Sequence, residues 1–160
     1  MYYSFTGNTA KVTEDISRIL SKENEVTVSE IKPVKQRRYF RWLLYSFIRN
    51  SKVKINALSH DISKYDLIVL GSPKWGVSCP PINEYINTLV ELNSHKFGVY
   101  LTYGGFGEMN FLLQLVEKLE KKGAIVISKL LVKRGTIGNK EYYEMVTSFC
   151  EDNLKTTVNG

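Results

Sequence analysis

The stretch Ser4-Phe5-Thr6-Gly7-Asn8-Thr9 stands between a short aromatic strand, Tyr2-Tyr3, and a segment of helical periodicity. Three hydroxyl side chains and one glycine converge on one helix start. Glycine reaches backbone conformations closed to other residues, and the first turn of a helix carries unpaired N–H donors and the positive end of the helix dipole, so an anion is favoured there. A loop of this make-up binds phosphate without lysine. The spacing S-x-T-G-x-T matches neither the Gly-Lys-Ser/Thr nucleotide loop nor the dinucleotide pattern G-x-G-x-x-G. Taken alone, a Ser/Thr-rich turn before a helix is equally well a plain N-cap.

With 160 residues, 43% hydrophobic and 24% charged, the chain has room for one globular domain over 1–160 with a sizeable core. Nothing in its composition points to disorder or a fibrous repeat. The longest apolar runs are a few residues, and no basic-then-apolar leader with a small-residue cleavage site is apparent. Cys79 and Cys150 are far apart and lack metal or redox spacing, so a reduced, cytoplasmic protein without a metal site is expected. His60 and His95 stand singly, which gives no support to a zinc site or a nucleophilic triad, and no side chain is assigned a catalytic role.

Outward from the loop, helical and strand-like patterns alternate. Val12, Ile16, Ile19 and Leu20 form one helical face; Ile82, Tyr85, Ile86, Leu89 and Val90 form a second. Leu112, Leu115, Val116 and Leu119 make a third, and Tyr142, Met145, Val146 and Phe149 a fourth. Between them lie Val26-Thr27-Val28, Leu67-Ile68-Val69-Leu70, Val99-Tyr100-Leu101 and Ile125-Val126-Ile127, with Leu130-Leu131-Val132 prolonging the last strand or following a bulge. With Tyr2-Tyr3 the count is five strands. That alternation predicts a doubly wound α/β fold, in which ligands bind beyond the carboxyl ends of the strands.

Two further loops fall at equivalent strand ends. Gly71-Ser72-Pro73-Lys74-Trp75-Gly76 and the residues that follow place a large flat aromatic beside a glycine, ahead of a helix starting at Pro80-Pro81. Thr102-Tyr103-Gly104-Gly105-Phe106-Gly107-Glu108 offers three glycines for close backbone approach and two aromatics for flat surface. Either could be an ordinary turn. Together with residues 4–9 they form a constellation suited to a phosphate attached to a planar ring.

On these three loops the chain resembles the flavodoxin-like family of FMN proteins over almost its whole length, apart from residues 32–65. The resemblance implies a five-stranded parallel sheet in the order 2-1-3-4-5, flanked by helices as a three-layer sandwich. It implies that Ser4, Thr6, Gly7, Asn8 and Thr9 hold the FMN phosphate, and that Trp75 and Gly76 flank the isoalloxazine, with Ser72, Pro73 and Lys74 along the same ring edge. Tyr103, Gly104, Gly105, Phe106 and Gly107 take the position of the second flavin-flanking segment; their glycine content is closer to that of flavodoxin-like reductases.

Three features depart from that family. Only Met1-Tyr2-Tyr3 precede the first loop, so either the central strand is short or the native chain carries further apolar residues in front. The net charge is +6, where family electron carriers are usually acidic. The excess is local: Lys32, Lys35, Arg37, Arg38, Arg41, Arg49, Lys52 and Lys54 have no acid between them, and without them 14 basic and 16 acidic residues remain. The third departure is the basic, aromatic segment 32–54 itself. A helix from Gln36 to Arg49 is predicted to set Phe40, Leu43, Leu44 and Phe47 on the sheet, leaving Trp42, Tyr45 and Ile48 elsewhere.

The expected function is electron transfer through noncovalently bound FMN, to a redox partner protein or a small-molecule acceptor. The alternatives are an NAD(P)H-dependent quinone or flavin reductase, a flavodoxin-fold oxidase acting at a membrane surface, and a flavin-free binding module. Residues 32–54 suit a crossover helix, a subunit or redox-partner interface such as a homodimer, or an anionic membrane surface. They lack polar side chains suited to base edges, so no nucleic-acid partner is expected.

Overall fold

The computed structural model describes residues 1–35, 38–57, 61–90 and 92–158, so Gln36, Arg37 and His60 lie outside the described residues. Three parallel strands, β1 (Leu67–Pro73), β2 (Lys96–Tyr103) and β3 (Ile125–Lys133), form a sheet in that order. Their near-continuous apolar runs suit strands covered on both faces. Helices α1 (Asn8–Leu20) and α5 (Lys140–Val158) pack on one face, where Val12, Ile16, Tyr100, Val132, Tyr142 and Val146 make one buried cluster. On the other face α3 (Pro80–Thr88) and α4 (Glu108–Glu120) bury Ile82, Ile86, Leu112 and Leu115 against Ile68, Leu70, Val99 and Leu101. The α/β layering read from the 3.6-residue spacings is therefore present. Val90 is an exception, being exposed and beyond the end of α3.

The predicted five-stranded sheet is realised as three strands among the described residues. In place of the first two, Tyr2 makes single parallel bridges to Gly71 on one side and Glu30 on the other, and residues 26–28 pair with nothing among the described residues. Met1 lies beside β1, its buried ammonium donating to the Val69 carbonyl at 2.9 Å. Burial pushes the pKa of that ammonium down to about 6. Beyond it a cavity of about 490 Å³ separates Val26 and Val28 from Leu67 and Val69. At the other edge, β3 runs unbroken through both predicted apolar runs, with Ile127 left out of register between the pairs Phe97–Val126 and Gly98–Ser128.

The segment 32–54 is an excursion closed at its base, where Pro33 and Ile55 bridge antiparallel and the Val34 N–H donates to the Lys54 carbonyl. Among its described residues it carries one helix, α2 (Tyr39–Ser46), of eight residues rather than the four turns expected. The predicted sheet-facing side is also reversed. Trp42 and Ser46 are the buried residues, while Phe40, Leu44 and Phe47 face solvent. Both faces of α2 are apolar, so periodicity gave no direction, and the contact is decided by an aromatic pocket that Tyr3 and Trp75 form for the Trp42 ring.

Candidate functional site

Strand register brings the three loops to one end of the sheet. Pro73 pairs with Thr102, and Tyr103 with Lys133, so β1, β2 and β3 stop at the same level. The first loop joins them because Tyr2 is in parallel register with Gly71.

Residues 4–9 form a left-handed turn at the start of α1. Gly7 has φ +86° and precedes the helix, with its carbonyl accepting from the Lys11 N–H at 2.9 Å. The Ser4 hydroxyl accepts from the Ala10 N–H at 3.2 Å, and the Asn8 amide donates to the Thr6 hydroxyl at 3.0 Å. Among the described residues no acceptor serves the N–H groups of Gly7, Asn8 and Thr9. Three unclaimed donors at a helix N-terminus are the arrangement that attracts an anion. Thr9 offers its backbone alone: its side chain is buried and its hydroxyl meets that of Thr102 at 2.8 Å.

The second loop is packed rather than open. Ser72 is fully buried and donates to the Pro73 carbonyl, and Pro73 is buried too. The Lys74 N–H donates to the Thr102 carbonyl, and its ammonium folds back to 3.4 Å from the carbonyls of Trp75 and Gly76. Trp75 meets Tyr3 and Phe5 edge-on, each at 5.6 Å between ring centroids, and Trp42 at 5.8 Å. This aromatic cluster ties the first loop, the second loop and α2 together. Gly76 has a packing reason of its own, since a Cβ there would lie 2.8 Å from the Ser46 hydroxyl and 2.9 Å from its carbonyl. The neighbouring Cys79 thiol is buried and pushed up to about 12 by desolvation, which removes it from thiolate chemistry at neutral pH.

The third loop is exposed. Gly104, Gly105, Phe106 and Gly107 face solvent, Tyr103 is half-buried, and Gly107, at φ +76°, starts α4. Among the described residues, one buried carboxylate oxygen of Glu108, in the first turn of α4, has no hydrogen-bond partner and is an acceptor ready for a ligand N–H or hydroxyl. Sequence reasoning missed Arg134. Its guanidinium covers Gly104 so closely that a Cβ would lie 2.0 Å from it, which places a cation at this end of the sheet. The available signal was its position, directly after the apolar run that ends β3. Among the described residues no three His, Cys, Asp or Glu are grouped to hold a metal. Nor, among them, is any helix long and apolar enough to cross a membrane.

No family model matches this chain, and no curated protein matches it. Solved structures do. A Streptococcus pneumoniae TIGR4 flavodoxin superposes with TM-score 0.69 at 17% identity, covering 97% of this chain and 95% of its own. Oxidised flavodoxin 2 from Bacillus cereus gives 0.70 at 19%, covering 97% and 96%. A flavoprotein from Lactobacillus acidophilus NCFM, solved in complex with FMN, gives 0.60 at 20%, covering 81% and 89%. The chain has the flavodoxin fold.

Proposed function

We propose that this flavodoxin-fold chain binds FMN noncovalently and transfers electrons through it. The observation that carries the reading is the trio of unclaimed N–H groups at Gly7, Asn8 and Thr9, at the level where three strand-end loops converge. Those donors and the Thr6 hydroxyl suit a terminal phosphate. The ring would lie between the loop carrying Lys74, Trp75 and Gly76 and the loop carrying Tyr103, Gly104, Gly105, Phe106 and Gly107. Glu108 would accept from it, and Arg134 would set a positive charge near it. Bound flavin would supply reversible uptake of electrons, while the chain sets its position and potential.

Calorimetric titration with FMN, FAD and riboflavin tests the assignment. A phosphate-centred site prefers FMN over riboflavin by at least about tenfold, since hydrogen bonds to a charged group contribute about 1.5–3 kcal/mol each. Equal affinity for FMN and riboflavin overturns the phosphate assignment. The same site serves a carrier or a reductase, and steady-state oxidation of NADPH in the presence of a quinone separates them.

A further inference from the structure

The excursion at 32–54 presents an apolar stripe to solvent where a crossover helix would bury one. Phe40, Leu44, Phe47 and Ile48 are 71%, 58%, 62% and 59% exposed, and their spacing i, i+4, i+7, i+8 puts them on one side of α2 and its last turn. Trp42 and Ser46 hold the opposite side to the body of the protein. The Trp42 ring is buried against Tyr3 and Trp75, and Ser46 accepts the N–H groups of Gly76 and Val77. The stripe is therefore held outward by a fixed anchor.

Its surroundings are basic. No acidic residue occurs between Glu30 and Asp61. Arg38, Arg41 and Arg49 are exposed and, among the described residues, make no ion pair. Lys118 of α4 adds its positive charge near Arg49 and Lys52.

We infer that this face docks on an anionic lipid surface, with the four apolar side chains entering the headgroup boundary and the flanking bases meeting lipid phosphates. Unpaired Phe, Leu and Ile on a short helix rimmed by arginine match the interfacial mode of membrane binding. A second copy of the chain is a poor occupant, because a two-fold contact would set the arginines against their own copies with no carboxylate in the segment to offset them. A folded acidic partner is also poorly matched, since a helix of eight residues is about 12 Å long and offers little of the ~1,200–2,000 Å² a stable protein interface buries. The docking is independent of the cofactor assignment. It would set the loop at 75–77 beside the bilayer, because Ser46 joins that loop to α2.

Co-flotation of the whole chain with vesicles tests this, using phosphatidylcholine alone and phosphatidylcholine mixed with phosphatidylglycerol. Retention is expected on the anionic vesicles only, falling as salt shortens the Debye length from about 10 Å to about 3 Å. Reversing Arg38, Arg41 and Arg49 to glutamate should weaken partitioning by about a hundredfold or more. Leu44→Ser with Phe47→Ser should release the protein while its far-ultraviolet circular dichroism stays unchanged, since neither side chain is in the core. Absence of retention on anionic vesicles at low salt overturns the inference, as does equal retention on neutral ones. A concentration-dependent dimer abolished by the same serine pair would assign the face to a second copy instead.

Discussion

The hydroxyls of Thr9 and Thr102 meet at 2.8 Å inside the protein, joining the first turn of α1 to the carboxyl end of β2. Both side chains are buried, and the Tyr100 hydroxyl donates to the Thr9 carbonyl beside them. The pair fixes where the left-handed turn at Gly7 sits relative to the second and third loops. Thr102→Val removes one partner and keeps the volume, leaving a buried hydroxyl unmatched at a cost of about 1–3 kcal/mol. Thr9→Val with Thr102→Val should recover most of that loss, as both polar groups are then gone. Urea unfolding of the singles and the double checks it; a double variant as unstable as the sum of the singles contradicts the pairing.

Gly7→Ala should cost about 1–2 kcal/mol, the strain of an alanine in the left-handed region. Among the described residues no atom beyond its chain neighbours lies within 4 Å of the added methyl, so crowding adds little. Gly105→Ala is the control: it too has open space, and its φ is outside the left-handed range, so stability should move by less than about 0.5 kcal/mol. FMN affinity should fall with the first variant, measured by the same titration.

Gly76→Ala should destabilise by about 1–3 kcal/mol, because its methyl would press on the Ser46 hydroxyl and carbonyl. Adding Ser46→Ala should restore only part of this, since the carbonyl stays 2.9 Å away. Thermal midpoints of the single and the double variant decide it, and full restoration would mean that the carbonyl contact is harmless.

For a protein whose first residue is Met1, stability should rise between pH 6 and pH 8. Burial lowers the ammonium pKa from 8.0 to about 6 in the folded state, so within that window the unfolded chain holds a proton that the folded chain lacks. Raising the pH therefore favours folding, by up to about 2–3 kcal/mol, and below pH 6 this contribution is flat because both states are protonated. Nα-acetylation should abolish the slope, which denaturant titrations at pH 6 and pH 8 would reveal.

Lys74→Gln should lower the midpoint potential of bound FMN by, roughly, a few tens of millivolts, since a cation near charge gained on reduction favours the reduced form. Arg134→Gln should act in the same direction. Potentiometric titration that finds the potential unmoved or raised in both variants would remove these side chains from the electrostatics of the site.

The helices α1, α3, α4 and α5 were legible because each sets an apolar stripe against the sheet and polar residues against water. Leu67 to Leu70 and Val99 to Leu101 were legible because buried parallel strands read as unbroken apolar runs. Residues 26–28 read as a strand by composition and yet pair with nothing among the described residues, for a strand exists through its neighbour and a cavity separates them from β1. The face of α2 was misread for a related reason. Phe40, Leu44 and Phe47 are as apolar as Trp42, and only the shape of the Tyr3 and Trp75 pocket selects between them. In the candidate site, the glycine turn and its donors followed from local sequence, whereas Arg134 over Gly104 and Ser46 against Gly76 are contacts across the fold.

The chain has two tryptophans, and both belong to one cluster, with Trp42 and Trp75 only 5.8 Å apart at an interplanar angle of 51°. Their fluorescence is consequently a local reporter rather than an average over the molecule. Emission from that pair will be quenched by a chromophore seated against the loop at 75–77 and shifted by any displacement of α2. Trp42→Phe and Trp75→Phe therefore turn one spectrum into two separate gauges, one for each side of the cluster.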